Sequence, residues 1–230
     1  MSPLLSFVSD ELQLIALGFM ALVYFLRIRW ILSFKASGER QAPTGPPDTT
    51  PARGVIYSWA NIASPWAMES TRTKPFFYAQ FVVFHLGVAS GIALSFLIPY
   101  APALLKPFGV VRAFQGIMAA AAVVGGYRLY RRLRDPVMRI LSSPDDLFSL
   151  LLLTVWLCFA VWAAPNRPDL GEGPLLIYFI LTAFFLIYVP FSKISHYLYY
   201  PFTRYYLGKT LGRRGVYPLK RGPEARPTRV

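Results

Sequence analysis

The stretch LLIYFILTAFFLIYVPFSKISHYLYYPFTR, Leu175 to Arg204, decides how the chain is read. Its first half is an unbroken apolar run. It then passes Pro190, Lys193 and His196 and leaves into a basic tail. An apolar helix of ~20 residues crosses the ~30 Å hydrocarbon core of a bilayer. An ionisable side chain within such a helix costs free energy unless something binds it, which makes His196 a candidate functional residue. The one other histidine, His85, also lies in an apolar run.

Further runs of this kind are spread along the chain, which has 230 residues, 55% of them hydrophobic. Mean hydropathy is +0.42, high for a soluble domain. The fold class expected is all-α and integral to a membrane, with five spans at about 12–34, 76–99, 108–127, 147–164 and 175–200. The third is rich in small residues (GIMAAAAVVGG, Gly116–Gly126). Residues 1–207 form the expected membrane domain and residues 208–230 a basic tail without regular structure. Asp10 and Glu11 precede the first run and Arg27 and Arg29 follow it, the reverse of a cleavable signal peptide. The first run is therefore expected to be a signal anchor.

The net charge of +13 does not point to nucleic acid, because the cations are sorted by loop. The first loop and its flanks, the loop after span three and the tail region hold 21 lysines and arginines, against Lys106, Arg112 and Arg167 on the other side. The positive-inside rule then predicts an outside N-terminus and a cytoplasmic C-terminus in the inner membrane of a prokaryote. No Gly-rich phosphate loop is present. The lone Cys158 excludes an intrachain disulfide or a cysteine-ligated cluster built from this chain alone, and reads as a small packing residue.

Three local features follow. Ser143, Pro144, Asp145 and Asp146 form a helix start, with the two acids read as capping groups. In the first loop, Gly38 to Pro51 is a polar, Pro-rich surface segment. VIYSWANIASPWAM, Val55 to Met68, is apolar but too short to span, and its tryptophans suit the inner membrane interface. The tail is expected to touch anionic lipid or an acidic partner.

The histidines are compared by depth. His85 lies 11 residues after Lys74 and His196 lies 8 before Arg204, or ~16 and ~12 Å from the inner charged edge at 1.5 Å per residue. Two antiparallel spans would hold them at similar depth, as a pair of axial ligands to the iron of one haem b requires. The small residues of HLGVASG, His85 to Gly91, would leave room for a macrocycle, and they are also ordinary helix-packing residues. Pro190 is expected to kink the fifth span before Ser192 and Lys193, which would meet a haem propionate or a quinone oxygen. Lys193 could equally extend to the inner surface. Glu69 and Arg72 are further candidates for a quinone lining. The competing readings are a proton pathway through the histidines, a transporter, and a haem-free membrane anchor.

FVVFHLGV around His85, SSPDDLFSLLLL at the start of span four and PFSKISHYLYYPFTRYY around His196 resemble the gamma subunit of respiratory nitrate reductase and its relatives, five-span membrane cytochromes b. Within that family the chain is most similar to the cytochrome b subunits of transmembrane redox complexes of sulfate-reducing bacteria, to which SPWAMESTR, Ser64 to Arg72, is also similar. The family's outer haem has two further histidines; the matching region here holds Ser95 and IYFILTAF instead. The resemblance implies one inner haem b, held by His85 and His196. It further implies exchange of electrons between a quinone such as menaquinone and a cytoplasmic iron–sulfur subunit. Other membrane subunits and a periplasmic multihaem cytochrome c are implied as further partners.

Overall fold

The computed structural model describes residues 2–34, 42, 49–62, 64 and 72–219. Regular structure among them is entirely helical. Five helical segments are long and apolar enough to cross a membrane: Pro3–Ser33, Pro75–Tyr100, Phe108–Arg134, Pro144–Ala163 and Gly173–Phe191. The chain divides into two compact units, Met1–Ser33 with Phe76–Ser195, and Phe34–Pro75 with His196–Val230.

The first unit holds all five long segments. Ser2 caps α1 (Pro3–Ser9), and Pro3 suits its first position. α2 (Glu11–Ser33) continues after Asp10, so the first span starts earlier than its hydropathy indicates. α4 (Pro75–Tyr100) and α5 (Phe108–Arg134) follow α3 (Pro51–Ala60), which belongs to the second unit. α5 carries Arg128, Arg131, Arg132 and Arg134 on its own last turns, where a loop was expected from residue 128. The short α6 (Pro136–Leu141) leads to α7 (Pro144–Ala163), which has the expected start. Ser143 Oγ accepts from the Asp146 amide, and Asp146 accepts back from the Ser143 amide at 2.9 Å, a reciprocal capping box. α8 (Gly173–Tyr188) runs beside α7 and α2.

Packing in this unit uses small residues and internal polar pairs. A Cβ on Gly87 would lie 2.1 Å from the Ala121 Cβ, and one on Gly91 would lie 2.4 Å from the Trp156 ring. α4 therefore seats directly on α5 and α7. The Tyr178 hydroxyl donates to the Gly91 carbonyl at 2.6 Å, and Trp156 Nε1 donates to Thr182 Oγ1 at 2.9 Å. The Gln13 amide donates to the Val8 and Phe179 carbonyls. Large apolar side chains such as Leu14, Leu22, Phe25, Phe96 and Leu151 point outward. Polar groups inside and apolar groups outside suit lipid as the surrounding solvent. Cys158 is exposed rather than packed.

The fifth span differs from its expected course over 175–200. Pro190 has no amide hydrogen to continue the helix. α8 stops at Tyr188, and the chain makes two 3₁₀ turns, Val189–Phe191 and Lys193–Ser195. Ser192 between them is extended (φ −101°, ψ 170°), and its Oγ accepts from the Ile194 amide at 3.2 Å. This is a complete break, not a kink, and α9 (His196–Arg213) is a separate helix.

The second unit is built on α9 and α3 (Pro51–Ala60), packed together. Gly54 meets the backbones of Gly208 and Gly212: a Cβ there would lie 2.2 Å from the Gly208 carbonyl oxygen. Arg204 donates through Nε and Nη2 to the Ser58 carbonyl, and Trp59 Nε1 donates to the Pro201 carbonyl at 3.2 Å. Residues 208–213, expected to lack regular structure, are helical because this contact holds them. The expected division at residue 207 therefore falls inside α9. Of the polar segment 38–51, most lies outside the described residues, as does 65–68 of the apolar segment.

Candidate functional site

His85 stands in the middle of α4, on a face with Phe81, Ala89, Ile92 and Phe96, all exposed. Its Nδ1 is 2.7 Å from the Phe81 carbonyl oxygen, one helical turn earlier, and the two rings lie 4.0 Å apart. A carbonyl can only accept, so Nδ1 carries the proton and a neutral ring keeps its lone pair on Nε2. Metal-ligating histidines are commonly oriented in this way, with the second nitrogen anchored on a backbone carbonyl. The side chain thus fits an axial ligand. The nearby glycines do not make a cradle for a macrocycle. Gly87 lies ~200° around the helix from His85, and Gly87 and Gly91 are occupied by Ala121 and Trp156.

His196 is the first residue of α9 and is exposed. The depth comparison assumed one helix from residue 175 to 200. The break at residues 189–195 removes that assumption: the ~12 Å from His196 to Arg204 runs along α9, a separate helix, and no longer measures depth within the fifth span. His85 belongs to the first unit and His196 to the second.

Ser192 is buried and bonded within its own turn, donating to the Val189 carbonyl at 3.1 Å. Lys193 Nζ reaches Asp146 Oδ2 and Ser143 Oγ, each at 2.8 Å, and the Lys193 amide donates to Asp145 Oδ2 at 3.0 Å. Tyr188 donates to the other oxygen of Asp145, and Ser149 lies 2.9 Å from the Tyr188 hydroxyl. The two acids read as caps therefore also tie the end of α8 to the start of α7. Sequence reasoning missed this cluster, although the expected topology puts residues 143–146 and 188–193 at the same membrane side. Arg72 is exposed in the second unit, and Glu69 lies outside the described residues.

At the other end of the first unit, Ser2 donates to Glu172 through both its amide and its hydroxyl, which holds the Glu172 carboxyl below its ordinary range. Arg167 lowers the Asp169 carboxyl in the same way, through hydrogen bonds and charge.

Comparison with known proteins adds little to this geometry. The chain is 28% identical over 188 residues to a protein of Nitratidesulfovibrio vulgaris (strain Hildenborough), with 76% of each chain covered; its description names no activity. No protein-family model matches the chain, and no solved structure does.

Proposed function

We propose that this chain is the membrane cytochrome b subunit of a respiratory redox complex. It would pass electrons between the quinone pool and a cytoplasmic iron–sulfur subunit, with one haem b that His85 and His196 would hold. The observation that carries the reading is the pose of His85. An imidazole is fixed through Nδ1 on a backbone carbonyl, with its Nε2 lone pair available, in the middle of a helix of membrane length. An ionisable group at such a position is a functional candidate by default. His196 enters through the family resemblance of the segment around it. Haem b, when bound, supplies one-electron chemistry and is tuned by its ligands and by burial. The chain's own part is to hold the imidazole tautomer at His85 through the Phe81 carbonyl and to exclude water with α4 side chains. The loop arginines set the orientation, N-terminus outside and C-terminus cytoplasmic, and the iron–sulfur subunit docks on that cytoplasmic side. Further membrane subunits and a periplasmic multihaem cytochrome c complete the path. Arg72 and Glu69 are proposed for the quinone lining.

A haem-free structural anchor is the second reading. Two observations favour it: the glycines beside His85 are filled by helix packing, and Lys193 is committed to Asp146. The reduced-minus-oxidised visible spectrum of the purified protein separates the two. Haem b bands in the wild type that vanish in both His85→Ala and His196→Ala support the cytochrome. Bands that survive either substitution remove that residue as a ligand. A wild type without bands, purified from haem-replete cells, leaves the anchor.

A further inference from the structure

We infer that the α3–α9 pair is a membrane-surface unit that binds anionic phospholipid headgroups. The described residues of the second unit include Arg53, Arg72, Lys74, Arg204, Lys209, Arg213 and Arg214, and among them there is no aspartate or glutamate. Such a surface is complementary to an anionic layer.

The aromatic side chains identify a layer and not a single protein face. Tyr197, Tyr200, Tyr205 and Tyr206 are 50%, 37%, 39% and 40% exposed, and Trp59 on α3 is 47% exposed. At ~100° per residue the four tyrosines lie at ~0°, ~300°, ~80° and ~180° around α9. A docked protein would meet one side of the helix. A headgroup layer meets rings on each side that α3 leaves open, and tyrosine and tryptophan favour that depth, where an apolar ring and a polar group are both satisfied. Chain connectivity points the same way. The chain passes between the units at Ser33/Phe34, Pro75/Phe76 and Ser195/His196; the first two passages adjoin the end of a membrane-length helix and the third lies four residues past one. The Gly54–Gly208–Gly212 contact closes the pair on itself, so its remaining surface is the basic and aromatic one.

The test uses the full chain in detergent, titrated with phosphatidylglycerol or phosphatidylcholine and read by native mass spectrometry as lipid retained. A second reading is hydrogen–deuterium exchange of residues 51–60 and 196–213 in nanodiscs of either lipid composition. The wild type should prefer phosphatidylglycerol at least about tenfold, and both segments should be protected more in the anionic nanodisc. Lys74→Gln/Lys209→Gln/Arg214→Gln removes three exposed cations. At about fivefold per cation, from ~1 kcal/mol each near an anionic surface, it should weaken phosphatidylglycerol binding about 100-fold at low salt and leave phosphatidylcholine unchanged. Equal retention of the two lipids by the wild type overturns the inference. So does an unchanged triple variant, or loss of the preference in an Arg134→Gln/Arg139→Gln control instead. Binding of an acidic protein partner that needs the three cations, with phosphatidylglycerol retention unaffected, also overturns it. None of these readouts depends on haem.

Discussion

Asp145 accepts from the Tyr188 hydroxyl, from the Lys193 amide at 3.0 Å and more weakly from Ser149 Oγ at 3.4 Å, whereas Lys193 ends in an ion pair whose lysine side chain is 60% exposed. Exposed pairs contribute ~0–1 kcal/mol, because water competes for both charges. Removing an acceptor from partly buried donors costs about 1–3 kcal/mol. Asp145→Ala should therefore destabilise the protein by about 1–3 kcal/mol, and Lys193→Gln by less than about 1 kcal/mol. Thermal unfolding in detergent checks the order, and a larger loss in Lys193→Gln would refute it. Glu172 offers a pH test. Its carboxyl is held low by the Ser2 hydrogen bonds. A depressed folded value means that the contact contributes fully above the ordinary glutamate value of about 4.3 and is lost as pH falls through the lower folded value. Exchange protection at Leu5 and Ser6 should fall over that acidic window and should not respond to pH in Glu172→Gln.

Among the helices, glycines separate into two kinds by what surrounds them. A Cβ on Gly54 would meet the Gly208 oxygen at 2.2 Å and the Gly212 Cα at 2.6 Å, while Gly116 has nothing within 4 Å. Backbone atoms cannot swing aside as a flexible side chain can. Gly54→Ala should force α3 and α9 apart at a cost of about 1–3 kcal/mol, as overpacking does. Gly116→Ala lies in a helix interior and should stabilise by roughly 0.5–1 kcal/mol. Melting temperatures of the two variants should move in opposite directions. The helix ends show how far local sequence could be read. The start of α7 was legible because Ser143 and Asp146 satisfy each other's amides and Pro144 suits the first helical position, all within four residues. The end of α8 was legible only in part. Pro190 announces a disturbance, but the full break also needs Ser192 to cap the following turn and the Asp145 carboxylate to receive the Lys193 amide.

At the scale of the whole molecule, orientation is the claim most open to direct measurement. Reporter fusions after Ser33, Arg134 and Arg213 should all be active in the cytoplasm, and fusions after Tyr100 and Asn166 should be active outside. The opposite pattern at any of these five sites would refute the proposed topology. The number of membrane-length helices was determined by the sequence itself, because an apolar run long enough for a bilayer needs no knowledge of neighbours, whereas the ends of the first, third and fifth were not. The proposed sidedness also rests on the sequence alone, through charge counted loop by loop. Which face of α4 carries His85, that Gly87 and Gly91 serve packing, and that Lys193 joins Asp146 were decided only by tertiary structure. Each depends on what another helix brings to that level, and a one-dimensional pattern does not specify it. The same holds for α9. Nothing in residues 196–213 alone says whether they prolong the fifth span; the backbone contact with Gly54 makes them a helix of a second unit.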